Sequence, residues 1–148
     1  MASTDQISEA PGLRHLLFRA GDRTFGCGID AVREIVPQRR ATRLPGAPPS
    51  VQGLINLRGT IVTVVDLPLW LGGTRPAAAD GSIVLVEHGS RVAGLAVDEV
   101  LDVQVVALED VAGTVGGDRD GAVRGMGRLG ERVVILLDIT SLVGQALV

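Results

Sequence analysis

The chain has 148 residues, 46% hydrophobic and 21% charged, with a net charge of −3, which suits one globular domain able to bury roughly 70% of its unfolded surface without disulfide or metal. All 14 cationic residues are arginine, and the lack of lysine excludes P-loop phosphate binding, Schiff-base catalysis and Ser-x-x-Lys hydrolysis. Three aromatic rings (Phe18, Phe25 and Trp70) and an acidic balance exclude a nucleic-acid stacking platform and a phosphate-backbone binder. In chain order, residues 1–12 read as a flexible tail with neither the basic flank nor the apolar core of a secretory signal. His15–Phe18 and Thr24–Ile29 read as a hairpin around Gly21-Asp22, and Asp30 is placed to cap one helical turn through Val32. Arg33–Val36 is extended, since a β-branched pair before Pro37 opposes a helix. Arg39–Pro49 is a proline-punctuated loop. Leu54–Leu57 and Ile61–Asp66 form a second hairpin around Arg58-Gly59. A short helix at Pro68–Leu71 is started by proline and stopped by Gly72-Gly73, and residues 74–81 form a linker.

The pattern then repeats. A shift of 72 carries Gly53, Leu57, Val62, Asp66 and Gly72 onto Gly125, Leu129, Val134, Asp138 and Gly144, and a shift of 68 carries Gly21, Arg23, Gly26, Asp30 and Val32 onto Gly89, Arg91, Gly94, Asp98 and Val100. Each half is hairpin, turn, extended segment, hairpin, short helix. The expectation is a mainly β protein of two five-stranded barrels. The first spans about 15–73 and the second about 82–144, with strand exchange between the halves allowed. Closure hides the sheet edges, which a valine-rich chain needs.

Several motifs look chemical and resolve otherwise. Gly125-Met-Gly-Arg-Leu-Gly130 spells the dinucleotide fingerprint, but that motif needs a helix starting within it, and a strand is predicted next. His88, Ser90 and Asp98 carry triad chemistry, yet Gly89-Ser90 falls in a hairpin turn and not on a rigid elbow. Asp66 and Asp138 precede short helices at matching positions and read as caps. Cys27, the sole cysteine, sits in an apolar strand and reads as a small buried hydrophobe, consistent with a reducing cytoplasm. With His15 and His88 it makes no zinc set. Arg39, Arg40 and Arg43 form the one dense positive cluster, read as a solvated loop with an acidic-partner site as the alternative. No stretch approaches the roughly 18 apolar residues of a membrane span.

Glu34 and Arg58 stand apart, each at the end of an apolar stretch where binding groups are usually presented. Phe18-x-x-Gly21, Ile29-Asp30-x-Val32-x-Glu34-Ile35-Val36, Leu44-Pro45-Gly46-Ala47-Pro48 and Gly53-Leu-Ile-Asn-Leu-Arg-Gly59 together resemble the CheW family of bacterial chemotaxis coupling proteins. In the second half, Arg91–Asp98, Val133–Asp138 and Leu142 are similar too. The resemblance spans about Leu16–Gly144. It implies two SH3-like barrels, no enzyme activity and no cofactor. It also implies an adaptor, in the free-standing form of the domain, that joins the cytoplasmic tips of chemoreceptors to the regulatory domain of a CheA-type histidine kinase. Such a protein is cytoplasmic and recruited to membrane-associated arrays without inserting in the membrane. By position, Val32, Glu34, Asn56, Arg58 and Gly59 match the receptor-contacting segment, and Ile83 is expected in the same groove; the kinase surface is not assigned. Thr63, Trp70 and the Gly- and Asp-rich stretch Ala112–Ala122 depart from the family pattern. The competing reading is a small-ligand-binding β-barrel protein with a metabolite in the cleft between barrels, although such pockets usually gather aromatic and convergent polar groups.

Overall fold

The computed structural model describes residues 12–109 and 123–146. The N-terminal tail through residue 11 and the stretch Ala112–Ala122 lie outside the described residues. Ten strands follow one another as β1 (Gly12–Ala20), β2 (Arg23–Gly28), β3 (Val32–Pro37), β4 (Val51–Leu57), β5 (Thr60–Asp66), β6 (Ser82–His88), β7 (Arg91–Val97), β8 (Glu99–Glu109), β9 (Val123–Leu129) and β10 (Arg132–Leu137). Two short helices follow the second hairpin of each half: α1 (Leu67–Trp70) and α2 (Ile139–Ala146). Both are capped as expected. Asp66 Oδ1 accepts from Leu69 N at 3.2 Å and Asp138 Oδ1 from Ser141 N at 3.1 Å. Asp30 behaves differently. It lies inside a single 3₁₀ turn, Ile29–Ala31, whose N-cap is Gly28 with no side-chain bond.

The sheets do not follow the two halves of the sequence. One sheet is a closed barrel in the order β9-β10-β2-β1-β8, and the other runs β3-β6-β7-β5-β4. Each sheet therefore takes the leading hairpin of one half and the extended strand and trailing hairpin of the other. The exchange is reciprocal to the residue. Gly26 in β2 faces Leu136 in β10, and Gly94 in β7 faces Val64 in β5, both in parallel register. The boundaries 15–73 and 82–144 thus describe sequence repeats, whereas the strands assemble as residues 12–28 with 99–109 and 123–137, and residues 32–97.

The exchange places apolar side chains on both faces of the inner strands. Leu17, Val106, Val134 and Leu136 fill the barrel. Val36, Ile55, Leu57, Val62, Val64, Ile83 and Leu85 fill the second unit. A third, larger cluster joins them: Leu16, Phe18, Phe25 and Cys27 from the barrel meet Val65, Val84, Val86, Leu95 and Val97 from the second sheet, closed by Leu142 and Val143 of α2. Neither unit buries its outer face without the other. Asp98 adds a polar clasp, its carboxylate accepting from Gly21 N and Ala78 N at 2.6 Å each.

Closure differs between the units. β8 runs eleven residues and its end pairs with β9 through Ala107, Leu108 and Glu109. β3 stops after six at Pro37, which has no N–H to donate to a ladder. Its edge meets β4 only through the chain just beyond, in one bridge between Thr42 and Leu54 with both backbone bonds at 2.8 Å. The second unit is a five-stranded sheet left ajar between β3 and β4.

Candidate functional site

The site forms at that gap. β4 and β5 are joined by Arg58-Gly59, both at positive φ (53° and 89°), the pattern of a type I′ turn that matches the twist of the flanking strands. Asn56 Oδ1 accepts from Gly59 N at 2.8 Å and pins the turn. Asn, Asp or Gly usually fills the left-handed first position, and Gly130 does so in the equivalent turn of the second half; an arginine there costs about 1–2 kcal/mol. Arg58 nevertheless occupies it and hydrogen-bonds through Nη2 to Glu34 Oε1.

Glu34 reaches the pair because β3 carries an irregularity in its pairing with β6 between Val32 and Glu34, which re-aims a side chain as bulges do. The carboxylate is partly shielded and the guanidinium mostly open, at 29% and 67% side-chain exposure. Beneath them lies a cleft of about 180 Å³ whose lining includes Leu57, Val62, Leu85 and Val92. With Arg33 and Thr60 also on its walls, the cleft is mostly polar at its mouth, and the charged fork there can take a carboxylate or carbonyl of a partner.

The structure thus brings Glu34, Asn56, Arg58 and Gly59 together, Asn56 and Gly59 as builders of the turn and Glu34 and Arg58 as the exposed polar groups. Val32 lies at the start of β3, half-buried against the shared core. Ile83 is a correction. It is fully buried inside the second unit, where a Cβ at Gly94 would stand 2.8 Å from its Cγ2; it faces no groove.

All three arginines of the loop are exposed, as a solvated loop requires, and two of them also donate to the backbone of β4. Arg39 Nη1 donates to Asn56 O at 3.2 Å and Arg43 Nη1 to Val51 O at 3.5 Å. The sequence signal was available in the absence of any acidic residue from 35 to 65.

The other candidates are structural. Gly125–Gly130 lies along β9 and into its turn, with no helix start. Asp98 is occupied by backbone N–H groups, and His88 Nδ1 lies 3.2 Å from Thr140 Oγ1, not from a serine. Burial pushes the Cys27 thiol up to about 12, so it is a protonated core group. Among the described residues no cluster of His, Cys, Asp and Glu could hold a metal ion. A second, open cleft of about 890 Å³ separates the β1–β2 turn from the α1–β6 connection, with Arg23, Arg75 and Asp98 on its walls and Phe25 as its one lining ring among the described residues.

A duplicated pair of five-stranded β units with exchanged hairpins, presenting a fixed ion pair at one sheet edge, belongs to the class of proteins that act through their surfaces. The CheW-like domain model matches residues 14–147. The chain is 33% identical over 144 residues to the chemotaxis protein CheW of Klebsiella aerogenes, covering 93% of this chain and 85% of that one. It is 35% identical over 134 residues to CheW of Rhizobium meliloti, covering 88% and 86%. Among solved structures, the crystal structure of the scaffolding protein TtCheW from Thermoanaerobacter tengcongensis superposes with a TM-score of 0.78 at 29% identity, covering 86% of this chain and 89% of that one. The chain belongs to the CheW family. It is a non-enzymatic adaptor of chemotaxis signalling that works by contact with other proteins. Among the described residues no helix is long and apolar enough to cross a membrane.

Proposed function

We propose that this adaptor joins the cytoplasmic helical tip of a chemoreceptor to the regulatory domain of a CheA-type histidine kinase, and that the region around Val32, Glu34 and Arg58 meets the receptor. Recruitment to a membrane-associated array follows from that contact and needs no membrane-inserting segment of its own. The observation that carries the reading is Arg58 itself. A left-handed, exposed arginine is a poor choice for turn stability, and its guanidinium is held by Glu34 at the mouth of a small cleft with polar walls (Arg33 and Thr60) and an apolar floor (Val62 and Leu85). Such local strain at an exposed polar group is the mark of a contact residue. Residues stored in unfavourable backbone regions gather at binding sites for this reason.

The test is the affinity of the full chain for a soluble helical hairpin from a chemoreceptor tip of the same organism. Arg58→Gly and Glu34→Ala should each weaken it at least tenfold, within the range for losing a desolvated charged contact. Unchanged hairpin affinity in both variants would sink the assignment.

A further inference from the structure

We propose that the receptor footprint continues from Glu34–Arg58 along the outer edge of β4, where Arg39, Arg40 and Arg43 form a basic rim that selects partner helices bearing carboxylates. The proposal rests on the reading that the Glu34–Arg58 region meets a receptor.

Residues 35–65 contain Arg39, Arg40, Arg43 and Arg58 and not one of the chain's 17 acidic residues, in a chain whose net charge is −3. Among the described residues, Arg19, Arg33 and Arg58 make ion pairs, and none of these pairs uses the loop arginines. Two of the three nonetheless bond to the strand beside them. Arg39 is fastened to Asn56 O and Arg43 to Val51 O, five residues apart on one strand, which is roughly 17 Å at the usual rise. The Thr42–Leu54 bridge fixes the loop between them. Each guanidinium offers five donors, so one bond to a carbonyl leaves most of the fork free. Arg58 extends the row past the end of β4. The result is a line of about 20 Å, comparable to four turns of a helix, and it is continuous with the proposed receptor site.

The rim has an apolar border. Ile35 is 42% exposed and Ile61 59%; Ile35 follows Glu34, and Ile61 is the register partner of Asn56. A partner surface that complements both features is a helix with a row of Glu or Asp beside an apolar stripe. A long polyanion or an extended anionic membrane suits the rim less well. The rest of the chain is acidic, and a helix that ends with the rim avoids most of that repulsion, whereas a polyanion or membrane running well beyond it does not. Base stacking has no platform either, because Phe18 and Phe25 are buried and Trp70 packs against the shared core.

The experiment measures binding of the full chain to the receptor-tip hairpin and to the same hairpin with its surface Glu and Asp changed to Gln and Asn. Arg40→Glu is the main variant, because Arg40 is exposed and no bond within the protein is lost with it; Arg75→Glu, exposed on the opposite connection, controls for net charge. At about 50 mM salt, Arg40→Glu should weaken the native hairpin at least fivefold and Arg75→Glu less than twofold, with the difference collapsing near 500 mM, as rim electrostatics require. The neutralised hairpin should bind the unmodified chain no better than the native hairpin binds Arg40→Glu. Weakening by Arg58→Gly with no change for Arg40→Glu overturns the rim and leaves the receptor reading standing. No weakening by either overturns both. The rim is also overturned if Arg40→Glu leaves hairpin affinity unchanged but abolishes binding to heparin, to phosphatidylglycerol vesicles or to a second copy of the chain.

Discussion

Gly53 in β4 and Thr42 in the arginine loop approach so closely that a Cβ at position 53 would stand 2.1 Å from the Thr42 carbonyl oxygen. Gly53 also takes φ of +134°, a conformation side chains rarely adopt. Those two facts let the loop bridge the gap that Pro37 leaves, with Leu54 N donating to Thr42 O and Thr42 N to Leu54 O. The turn that carries Arg58 hangs from the same strand.

Gly53→Ala should therefore destabilise the fold by about 2–4 kcal/mol, since overpacking and strain act together and the obstacle is backbone. Gly21→Ala is the control: φ is +67° but nothing lies within 4 Å of the added Cβ, so the cost should be only about 1–2 kcal/mol. Urea denaturation of both variants decides it, and equal midpoints would show that the close approach has no energetic weight.

The Glu34–Arg58 pair makes an unusual demand on a stability measurement. Losing a largely exposed ion pair costs about 0–1 kcal/mol, while replacing Arg58 by glycine relieves about 1–2 kcal/mol of left-handed strain. Arg58→Gly should unfold at the same temperature as the unmodified chain or slightly above it, whereas Glu34→Ala should fall by no more than a few degrees. Together with weakened receptor binding, that outcome marks a residue kept for contact at the expense of stability. A fall of ten degrees in Arg58→Gly would make the arginine structural.

Cys27 permits an unusually clean alkaline titration. The chain has no lysine and no tyrosine, so between about pH 9 and 12 the thiol titrates with little competition. Burial raises it from 9.0 to about 12 in the folded state. As pH rises through 9 the unfolded chain loses its proton while the native chain keeps it, so stability falls, with a limiting slope of about 1.4 kcal/mol per pH unit. Denaturation midpoints at pH 8, 9, 10 and 11 should show this decline, and Cys27→Ala should lack it. The same slope in both proteins would mean that the thiol is not desolvated as its position implies.

Much of this architecture was legible in the residues, and the parts that were not have definite causes. Glycine, aspartate and valine recurring at shifts of 68 and 72 gave the repeat, the hairpins and both helix caps, because turns and caps depend on local chemistry. The exchange of hairpins was not legible. Period-two patterning tells which faces are buried, not which strand lies alongside, and β1–β2 suits either partner. Ile83 illustrates the limit. It begins Ile83-Val-Leu-Val86, apolar at every position, and a strand buried on both faces gives no alternation from which to choose an outward side. Glu34 and Arg58 were recognisable because each interrupts an apolar run, yet their contact depends on a bulge in β3 and a left-handed turn that spacing alone does not reveal. The open edge could have been anticipated from Pro37, which has no counterpart in β8.

The reciprocal exchange makes the strongest demand on the fold as a whole. Residues 1–73 hold β1–β5, but β1 and β2 belong to the barrel completed by β8–β10; residues 74–148 hold the hairpin β6–β7 that belongs beside β3 and β5. Neither fragment contains a complete sheet, and each would expose its share of the cluster joining Phe18, Phe25 and Cys27 to Val84, Leu95 and Val97. Chains of this length are marginal even with an intact core. Each fragment alone should therefore be unfolded or aggregated, with collapsed amide dispersion in NMR spectra. Mixed during refolding, the two should form a one-to-one complex, because every strand then finds the partner it has in the intact chain and only the peptide bond between residues 73 and 74 is missing. Its unfolding should be cooperative and concentration-dependent, as for any assembly whose parts fold only together. A fragment of residues 74–148 that gives a dispersed spectrum by itself would contradict the shared core. Two fragments that fail to combine would show that chain continuity, and not the interlocked sheets alone, holds the halves together.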